Sequence, residues 1–433
     1  MRINGPGKES NRHISTLYVC YFGLREPLVQ TQVLPYLRAL VAGGIRVSLL
    51  TFEPQLEKRW SAEELHQQTQ TLAAQGISWH WLKYHKRPTL PATLFDIAAG
   101  TLRIARLMKS ERINVLHARN HVPALMCAMA RRIRRGRLIF DIRGFMPEEY
   151  TDAGVWPANG YLYRGLKRVE RHLFKTADAF VVLTSKAREI LFPGRTDTDE
   201  SGRPIELIPC CVDFARFEAA GRDARSAIRE ELNLHGRRVI AYVGSFGGWY
   251  LTDEMAAFLG AAHRRDARTF SLILTQSPRE QVTEQLRARG IAEADFFVGT
   301  VAPADVPRHL SAADAAISFI KACYSKQSSS PTKIAEYLAA GLPVIANTGV
   351  GDVDELLTKH GVGILISEFN EASYGRALAQ LDALLANETI RARCRATAHS
   401  EFDLETVGSV RYRRLYERLF HDRAAARAGS API

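Results

Sequence analysis

A chain of 433 residues is too long for one ordinary hydrophobic core, so we expect two or three domains. Apolar residues make up 46% of the chain, a fraction typical of globular proteins, and no apolar run approaches the ~20 residues of a membrane-spanning helix. The formal net charge of +12 lies in the first 200 residues, which hold 30 Lys and Arg against 18 Asp and Glu; the rest holds 28 of each. A basic first half predicts an anionic partner, namely membrane headgroups, a lipid diphosphate or nucleic acid.

The N-terminus and the cysteines indicate the compartment. The first ten residues, MRINGPGKES, contain no apolar stretch, so they predict a mobile leader and not a secretory signal. The six cysteines form no Cys-x-x-Cys pair, and Cys210 and Cys211 are too close together for ordinary zinc-site spacing. Buried free thiols in a reducing compartment are the simplest interpretation. We expect a cytoplasmic protein, and the basic half leaves peripheral contact with the inner face of the membrane open.

The first half of the chain alternates apolar strands with helices. The predicted strands are Thr16–Phe22, Arg46–Phe52, Ile77–Tyr84, Val115–Arg119, Leu138–Ile142 and Ala179–Thr184. Helices with apolar periodicity are predicted over Gln32–Ala42 and Phe95–Arg112. This alternation is typical of a doubly wound parallel sheet, which binds its ligands beyond the carboxyl ends of the strands.

The densest basic cluster is RRIRRGR, at Arg131–Arg137. It predicts peripheral contact with an anionic membrane surface, and a solvated basic helix end is the alternative. Nucleic acid is disfavoured, because no recognition motif and no platform of interleaved aromatic residues accompanies the cluster.

A second alternating set follows. Its predicted strands are Val239–Gly244, Phe270–Thr275, Asp295–Val298, Ala315–Ile320, Pro343–Ala346 and Val362–Ile366. Turn residues and the short strand IELIP precede it, and we place the interdomain connection near Phe214–Arg225. The pattern therefore predicts an α/β protein with two doubly wound, Rossmann-like domains, at residues 1–213 and 214–403.

The most informative stretch runs from residue 328 to residue 355, SSSPTKIAEYLAAGLPVIANTGVGDVDE. Ser330 and Pro331 predict the start of a helix, as its N-cap and first turn. Gly341 predicts its end in a left-handed conformation, since Pro343 prevents continuation. A Gly-rich loop and several acidic residues follow the next strand.

Lys333 is electrostatically out of place in the first turn of this helix. A cation there loses roughly 0.3–1 kcal/mol against the helix dipole, unless an anion such as a diphosphate lies between it and the free backbone N–H groups. A solvated Lys on an exposed helix is the alternative. Glu336, one turn further on, could accept hydrogen bonds from a ribose. Together the two residues predict nucleotide-sugar binding.

The stretch resembles the donor-binding motif of retaining GT-B glycosyltransferases of the group-1 or family-4 type. Glu336 matches the second Glu of the family's Glu-x7-Glu motif, because Gly341 and Pro343 follow at the family's spacing. The first Glu falls at Ser328, which is a departure from the pattern. The resemblance extends from about residue 17 to about residue 420. It implies two Rossmann-like domains facing across a cleft, with the C-terminal helix, residues 404–433, packing back on the first domain.

The resemblance also implies which side chains serve the donor. Gly247 and Gly248 would let the backbone approach a diphosphate, and the turn from Gly299 to Val301 would lie beside the nucleobase. The residues assigned to donor binding are Gly247, Gly248, Gly299, Thr300, Val301, Ser328, Ser330, Thr332, Gly349, Gly351 and Asp354.

Polar residues at the strand ends of the first domain complete the predicted site. Arg119 and His121 follow one strand, and Arg143 follows the next. These three join Lys333 and Glu336 as candidate catalytic residues. The candidate acceptor-side residues are Arg25, Asp141, Glu149 and Asp152, although a charged loop with internal ion pairs is the alternative for the last three.

The predicted function is a retaining glycosyltransferase that moves a sugar from a nucleotide-sugar donor to a glycan or lipid-linked acceptor in cell-surface polysaccharide or glycoconjugate synthesis. The resemblance implies front-face substitution, helped by the departing diphosphate, with no metal and no cofactor. No Ser-His-Asp triad, metal cluster, P-loop or Asp-x-Asp motif is seen. The alternatives are a nucleotide-sugar epimerase of the same fold and a catalytically silent protein that binds sugar nucleotides or membranes.

Overall fold

The computed structural model describes residues 14–219 and 223–428. The predicted leader, three residues of the predicted interdomain connection and the last five residues of the predicted tail lie outside the described residues. Two parallel sheets, of seven and six strands, organise the chain. The fold class predicted from the sequence, two Rossmann-like α/β domains, is confirmed.

The first sheet has the strand order β3-β2-β1-β4-β5-β6-β7, and all its pairings are parallel. Its strands are β1 (Ser15–Cys20), β2 (Arg46–Pro54), β3 (Ile77–Tyr84), β4 (Val115–Arg119), β5 (Arg137–Asp141), β6 (Ala179–Val182) and β7 (Ile205–Leu207). The second sheet has the order β10-β9-β8-β11-β12-β13 and is also parallel. Its strands are β8 (Arg238–Val243), β9 (Thr269–Leu274), β10 (Phe296–Gly299), β11 (Ala315–Ser318), β12 (Val344–Asn347) and β13 (Gly363–Ile366).

Helices connect the strands and cover both faces of each sheet. In the first half they are α1 (Pro27–Gln32), α2 (Leu34–Ala42), α3 (Leu56–Arg59), α4 (Ala62–Ala74), α5 (Thr89–Ser110), α6 (His121–Ile133), α7 (Met146–Asp152), α8 (Tyr161–Thr176) and α9 (Ser185–Leu191). In the second half they are α10 (Ala215–Glu218), α11 (Ala224–Glu231), α12 (Thr252–Arg265), α13 (Arg279–Arg287), α14 (Val306–Ser311), α15 (Thr332–Ala339), α16 (Val353–His360), α17 (Glu371–Leu385), α18 (Ile390–Phe402) and α19 (Val410–Ala428). A 3₁₀ turn (Tyr324–Ser328) precedes α15.

The strands match the predictions closely, and the helices differ in places. The helix predicted over residues 32–42 is α2, which begins two residues later, at Leu34. Gln32 instead ends α1, because the chain breaks between the two helices at Val33 (φ −123°). Helix α5 begins six residues before its predicted start. The sequence analysis missed α4, although Ser61 and Glu64 form a capping box at its N-terminus. The predicted tail helix begins with a π-helical segment (Leu404–Ser409) before α19.

Two apolar layers hold the first domain together. One layer lies under α5, α6 and α8 and contains Ile104, Met126 and Leu173. The other lies on the opposite face of the sheet and is shared with the C-terminal helix, because Leu415 of α19 packs in the same cluster as Leu37 of α2. The end of the chain therefore stabilises the domain with which the chain begins.

A glycine is required where the loop after β12 meets the segment before α15. Gly351 has a φ of +46°, and a Cβ atom there would lie 2.0 Å from the Ser329 carbonyl oxygen. Its own N–H donates to the carbonyl of Lys326 at 2.9 Å. The close approach holds the loop against the 3₁₀ turn.

We predict that G351A lowers the melting temperature far more than the control G202A. Gly202 also has a positive φ, of +73°, but a Cβ atom there would meet open space. The control should cost only the left-handed backbone strain, roughly 1–2 kcal/mol, whereas G351A adds a clash with rigid backbone. Equal melting temperatures for the two variants would contradict this account.

Candidate active site

Helix α15 is buried along almost its whole length, and it is not the exposed helix of the alternative interpretation. All its residues from Lys333 to Ala339 are buried. The prediction that Ser330 caps this helix is wrong, since the N-cap position is occupied by Pro331 and no side chain caps it. The Ser330 hydroxyl instead accepts a hydrogen bond from the backbone N–H of Cys210, at 3.1 Å. Ser330 therefore ties the start of α15 to the first domain.

Lys333 lies in an aromatic setting at the carboxyl end of β8. Its Nζ donates to the Tyr242 hydroxyl at 3.2 Å and lies 3.7 Å from the ring centroid of Tyr250. Gly244 makes room for it: its φ is +141°, and a Cβ atom there would lie 2.7 Å from the Lys333 Nζ. The ammonium group is only 7% exposed. The interpretation of Lys333 as a solvated surface residue is therefore wrong.

Burial shifts the pKa values of both predicted donor-binding charges. It lowers the pKa of Lys333 to about 7, against a smaller raising effect of the Glu336 carboxylate. It also raises the pKa of Glu336 above its usual range, although Arg216 opposes the shift from 3.4 Å. Each residue is thus costly to charge in the protein alone, and each would be stabilised in its charged form by a ligand of suitable polarity.

The two residues line one cavity of about 250 Å³ at the carboxyl ends of β8, β9 and β10, which we call the Lys333 cavity. Three other predicted donor-binding residues line it as well, namely Thr332, Thr300 and Val301. Helix α1 closes it from the first domain. Arg216, which the sequence analysis missed, also lines it; nothing in the interdomain connection marked that residue.

A second cavity, of about 540 Å³, lies at the carboxyl ends of β1, β2, β3 and β4, and we call it the Arg119 cavity. The candidate catalytic residue Arg119 and the candidate acceptor-side residue Glu149 line it. Trp249, from the loop after β8, lines it from the second domain. Because Tyr250, the next residue, lines the Lys333 cavity, one short loop contributes to both cavities.

Lys326, in the 3₁₀ turn, is a second buried lysine that the sequence analysis missed. Its Nζ lies 3.0 Å from a Glu149 oxygen and 3.9 Å above the Trp249 ring. Asp152 makes a parallel contact between the domains, because its carboxylate accepts from the backbone N–H of Ser325 at 2.8 Å. Helix α7 of the first domain therefore holds the 3₁₀ turn of the second by charged hydrogen bonds. A short polar turn has no periodicity, so the sequence pattern could not reveal it.

The structure places Asp141 and Arg143 in a buried network below the cleft. Asp141 is fully buried, and its oxygens lie 2.8 Å from the Arg143 guanidinium and 3.2 Å from the Tyr412 hydroxyl. Burial alone would raise the pKa of Asp141, but Arg143 and a hydrogen bond to His117 outweigh burial and hold that pKa well below its usual value. These residues thus link β5 to α19, and Asp141 has no surface left for an acceptor.

Two other predicted residues point away from both cavities. His121 is 1% exposed, with its ring nitrogens 3.1 Å from a Glu170 oxygen and 2.7 Å from the Asn120 side chain. Arg25 lies on the surface, 2.7 Å from Glu64 and over the ring of Trp60. In this structure both residues hold neighbouring helices in place.

The remaining donor-binding candidates surround the cavities without lining the Lys333 cavity. Gly247 and Gly248 have positive φ angles in the loop that carries Trp249. Ser328 is 2% exposed, and its hydroxyl donates to the Ser325 carbonyl. Asp354 accepts from the backbone N–H of Gly349, so it shapes the Gly-rich loop that packs on the 3₁₀ turn. Gly299 directly precedes Thr300, which lines the Lys333 cavity, whereas Gly351 contacts the segment before α15.

Comparison with known families assigns the two halves of the chain. Residues 29–216 match the model of Glycosyltransferase Family 4, and residues 237–383 match the model of Glycosyl transferases group 1. Together these matches span most of the chain, one to each sheet. The chain is a GT-B glycosyltransferase. The motif around Lys333 and Glu336 lies within the second match, and Arg119 lies within the first. No curated protein matches the sequence.

Solved structures agree with the fold over nearly the whole length. A glycosyltransferase from Rickettsia africae superposes with a TM-score of 0.68 at 15% identity, covering 95% of this chain and 99% of that one. Sucrose-phosphate synthase from Thermosynechococcus elongatus gives 0.70 at 15%, covering 94% and 99%. HepE of Anabaena, solved with UDP and glucose, gives 0.64 at 16%, covering 94% and 100%. At these identities the likeness shows the fold alone.

We predict that K333M stabilises the protein when no ligand is bound, most strongly at or below about pH 7. The folded pKa of Lys333 is about 7 against an ordinary 10.5, so the unfolded chain binds more protons between these values. The stability of the parent therefore rises with pH across that window, as its lysine discharges. The melting temperature of K333M should exceed that of the parent at pH 7, and the difference should shrink towards pH 10.5. The control K58M, at an exposed lysine, should change little at any pH. A lower melting temperature for K333M would show that Lys333 stabilises the empty protein.

Proposed function

We propose that this glycosyltransferase is a retaining enzyme that takes a hexose from a nucleotide-sugar donor and adds it to a glycan or lipid-linked acceptor in cell-surface polysaccharide or glycoconjugate synthesis. The observation that carries the proposal is that a buried lysine, Lys333, and a buried carboxylate, Glu336, line one cavity at the strand ends. The Lys333 Nζ lies 3.7 Å from the Tyr250 ring centroid, and the Glu336 carboxylate lies 3.4 Å from the Arg216 guanidinium. Among the described residues Lys333 has no carboxylate in contact, and Glu336 has one cationic partner, Arg216. A donor with a diphosphate and a ribose supplies what each lacks.

We infer one orientation of the donor in the Lys333 cavity from the charges of its lining. The diphosphate would lie against Lys333 and the free N–H groups at the start of α15, where the helix dipole also favours negative charge. The ribose hydroxyls would donate to Glu336, and the base would lie towards the turn at Thr300 and Val301. Solved HepE holds UDP and UDP-glucose, which supports a nucleotide sugar as the donor here.

The sugar would project towards the Arg119 cavity, since one loop lines both cavities. The Nζ of Lys326 lies 3.9 Å above the Trp249 ring of that loop and 3.0 Å from a Glu149 oxygen. We propose that Lys326 and Glu149 contact the donor sugar, in the place of the Glu that the family pattern would put at Ser328. The acceptor would enter through the Arg119 cavity, where Arg119 and Glu149 can bind its hydroxyl groups.

The chain's own residues would act by position and charge. Lys333 would carry a full positive charge once the diphosphate is bound and would stabilise the growing charge of the leaving group. The incoming hydroxyl would attack from the face that the diphosphate leaves, and the departing diphosphate would receive its proton. This scheme retains the configuration of the anomeric carbon and requires no general base from the protein, because the departing diphosphate accepts the proton. NMR analysis of the anomer formed in the first minutes of transfer tests it, and an inverted product would exclude a retaining mechanism.

An epimerase of the same fold and a silent binding protein are the alternative functions. An epimerase would change its sugar nucleotide without an acceptor, so incubation with donor alone separates it from a transferase. A silent protein would bind nucleotides with no turnover in either assay. The Arg119 cavity favours the transferase, because it provides space beside the donor site for a second substrate.

We predict that E336A weakens nucleoside diphosphate binding by about 1–3 kcal/mol, through loss of charged hydrogen bonds to the ribose. Isothermal titration calorimetry with UDP, ADP and GDP measures the effect and identifies the base. The variant E355A, on the exposed side of α16, is the matched control and should bind as the parent does. Unchanged affinity in a folded E336A protein would refute the ribose role.

We also predict that binding of the diphosphate takes up nearly one proton at pH 8. At that pH Lys333, with a pKa of about 7, is mostly neutral in the free protein, and a bound diphosphate would raise the pKa and recharge it. Calorimetry in buffers of different ionisation enthalpy counts the protons, and K333M should abolish the uptake. Its kcat/KM should fall by on the order of 10²–10³. A K333M protein that binds with the same proton uptake would place the diphosphate elsewhere.

A further inference from the structure

Three helices, α5, α6 and α8, lie side by side on one face of the first sheet. They connect β3 to β4, β4 to β5 and β5 to β6, so the right-handed crossovers put all three on the same side. Their inner sides contribute Ile104, Met126 and Leu173 to the core. We call their outer surface the α5–α6–α8 face.

Lys and Arg far outnumber Asp and Glu on these three helices. The three helices contain ten Lys and Arg residues and only two carboxylates, Asp96 and Glu170. Both carboxylates are buried, at 1% and 5% exposure, and accept hydrogen bonds from other side chains inside the domain. Seven exposed cations of these helices make no ion pair with any described residue: Arg106, Lys109, Arg132, Arg164, Arg168, Arg171 and Lys175.

Exposed apolar side chains are interleaved with these cations. Of the fourteen large apolar side chains that are exposed among the described residues, seven lie on these three helices. Leu94 and Leu102 on α5 are 57% and 52% exposed, and Ile133 and Tyr161 on the neighbouring helices are 59% and 82% exposed. An apolar surface of this kind is costly in water and usually marks a docking site.

We propose that the α5–α6–α8 face docks this protein on an anionic lipid bilayer. A bilayer interface accommodates both the exposed cations and the exposed apolar side chains of this face. The apolar side chains enter the acyl boundary, while Arg and Lys pair with anionic headgroups. A nucleic acid would satisfy the cations but would leave Leu102 and Ile133 against a polar backbone. Basic residues alone bind weakly, and the combination supplies the two signals that stable peripheral binding needs.

The Arg119 cavity opens at one edge of this face. Thr89 and Thr93 at the start of α5 line it, as do Val122 and Pro123 at the start of α6. Docking would bring the mouth of the cavity close to the headgroups. If the proposed function holds, the acceptor is then a sugar that remains attached to a lipid in the bilayer.

Co-sedimentation with vesicles tests the docking without any assumption about catalysis. The variant R106E/R132E/R168E reverses one exposed charge on each helix, and R279E/R289E/R395E reverses three exposed charges on the second domain. With vesicles of phosphatidylglycerol and phosphatidylcholine in equal parts, we expect the first variant to bind on the order of 100-fold more weakly than the parent, and the second to bind as the parent does. Equal losses in both variants would show that only net charge matters and would overturn the proposal.

The apolar contribution needs its own pair of variants. L102S/I133S should weaken vesicle binding, mainly at high salt where the electrostatic attraction is screened, whereas V410S, at an exposed position outside the face, should not. If L102S/I133S binds vesicles as the parent does, the bilayer is the wrong partner. The bilayer is also the wrong partner if neither the parent nor R106E/R132E/R168E binds vesicles, while R106E/R132E/R168E binds an RNA duplex more weakly than the parent does. Calorimetric binding of the preferred nucleoside diphosphate, unchanged in all four variants, shows that they are folded. If the parent binds none of UDP, ADP and GDP, the proposed function is rejected instead.

Discussion

The second domain is organised around a buried lysine that has no carboxylate in contact among the described residues. The Nζ of Lys333 lies against a phenol oxygen and two aromatic ring faces, and burial lowers its pKa to about 7. A protein has no structural reason to keep such a group, because a hydrocarbon side chain would fill the same space at lower cost. Several other features serve this one residue: a glycine at the end of β8, two tyrosines, and a helix start with no side-chain cap. All of them make sense when a dianionic ligand completes the arrangement.

The two domains divide the physical work of the cleft. The second domain offers positive electrostatic potential at a helix N-terminus, which suits a leaving group. In the first domain, charged and polar side chains at the strand ends contact other residues of the same domain. Asp141 joins β5 to α19, and His121 joins α6 to α8 through Glu170. Among the described residues, the charged side chains of the first domain that line the Arg119 cavity are Glu26, Arg119 and Glu149. This division explains why charged residues at strand ends are poor guides to a site when a returning helix also has to be anchored there.

Charged hydrogen bonds join the two domains, beside an aromatic contact of Phe145 with Tyr324. Lys326 with Glu149, Asp152 with Ser325, and Asp352 with the start of α9 are charged hydrogen bonds, and none of them is an apolar layer. Contacts of this type are readily exchanged for ligand contacts or for water. The same segment, the 3₁₀ turn before α15, carries the first two and leads directly into the helix of Lys333. A ligand in the Lys333 cavity is therefore positioned to influence how tightly the domains hold each other.

The sequence by itself determined the two sheets, their parallel topology class and the helix that carries Lys333 and Glu336. Those features follow from short-range patterns: apolar runs of strand length, a glycine and a proline at the helix end, and a cation against a helix dipole. What only the tertiary structure decided was the surroundings of each charge. Three contacts join residues that are distant in the chain: the burial of Lys333 between two tyrosines, the contact of Lys326 with Glu149, and the hydrogen bonds of Asp141 and Arg143 with Tyr412. Such contacts leave no periodic trace, because the free energy that fixes them comes from packing and desolvation in three dimensions and not from the order of neighbouring residues.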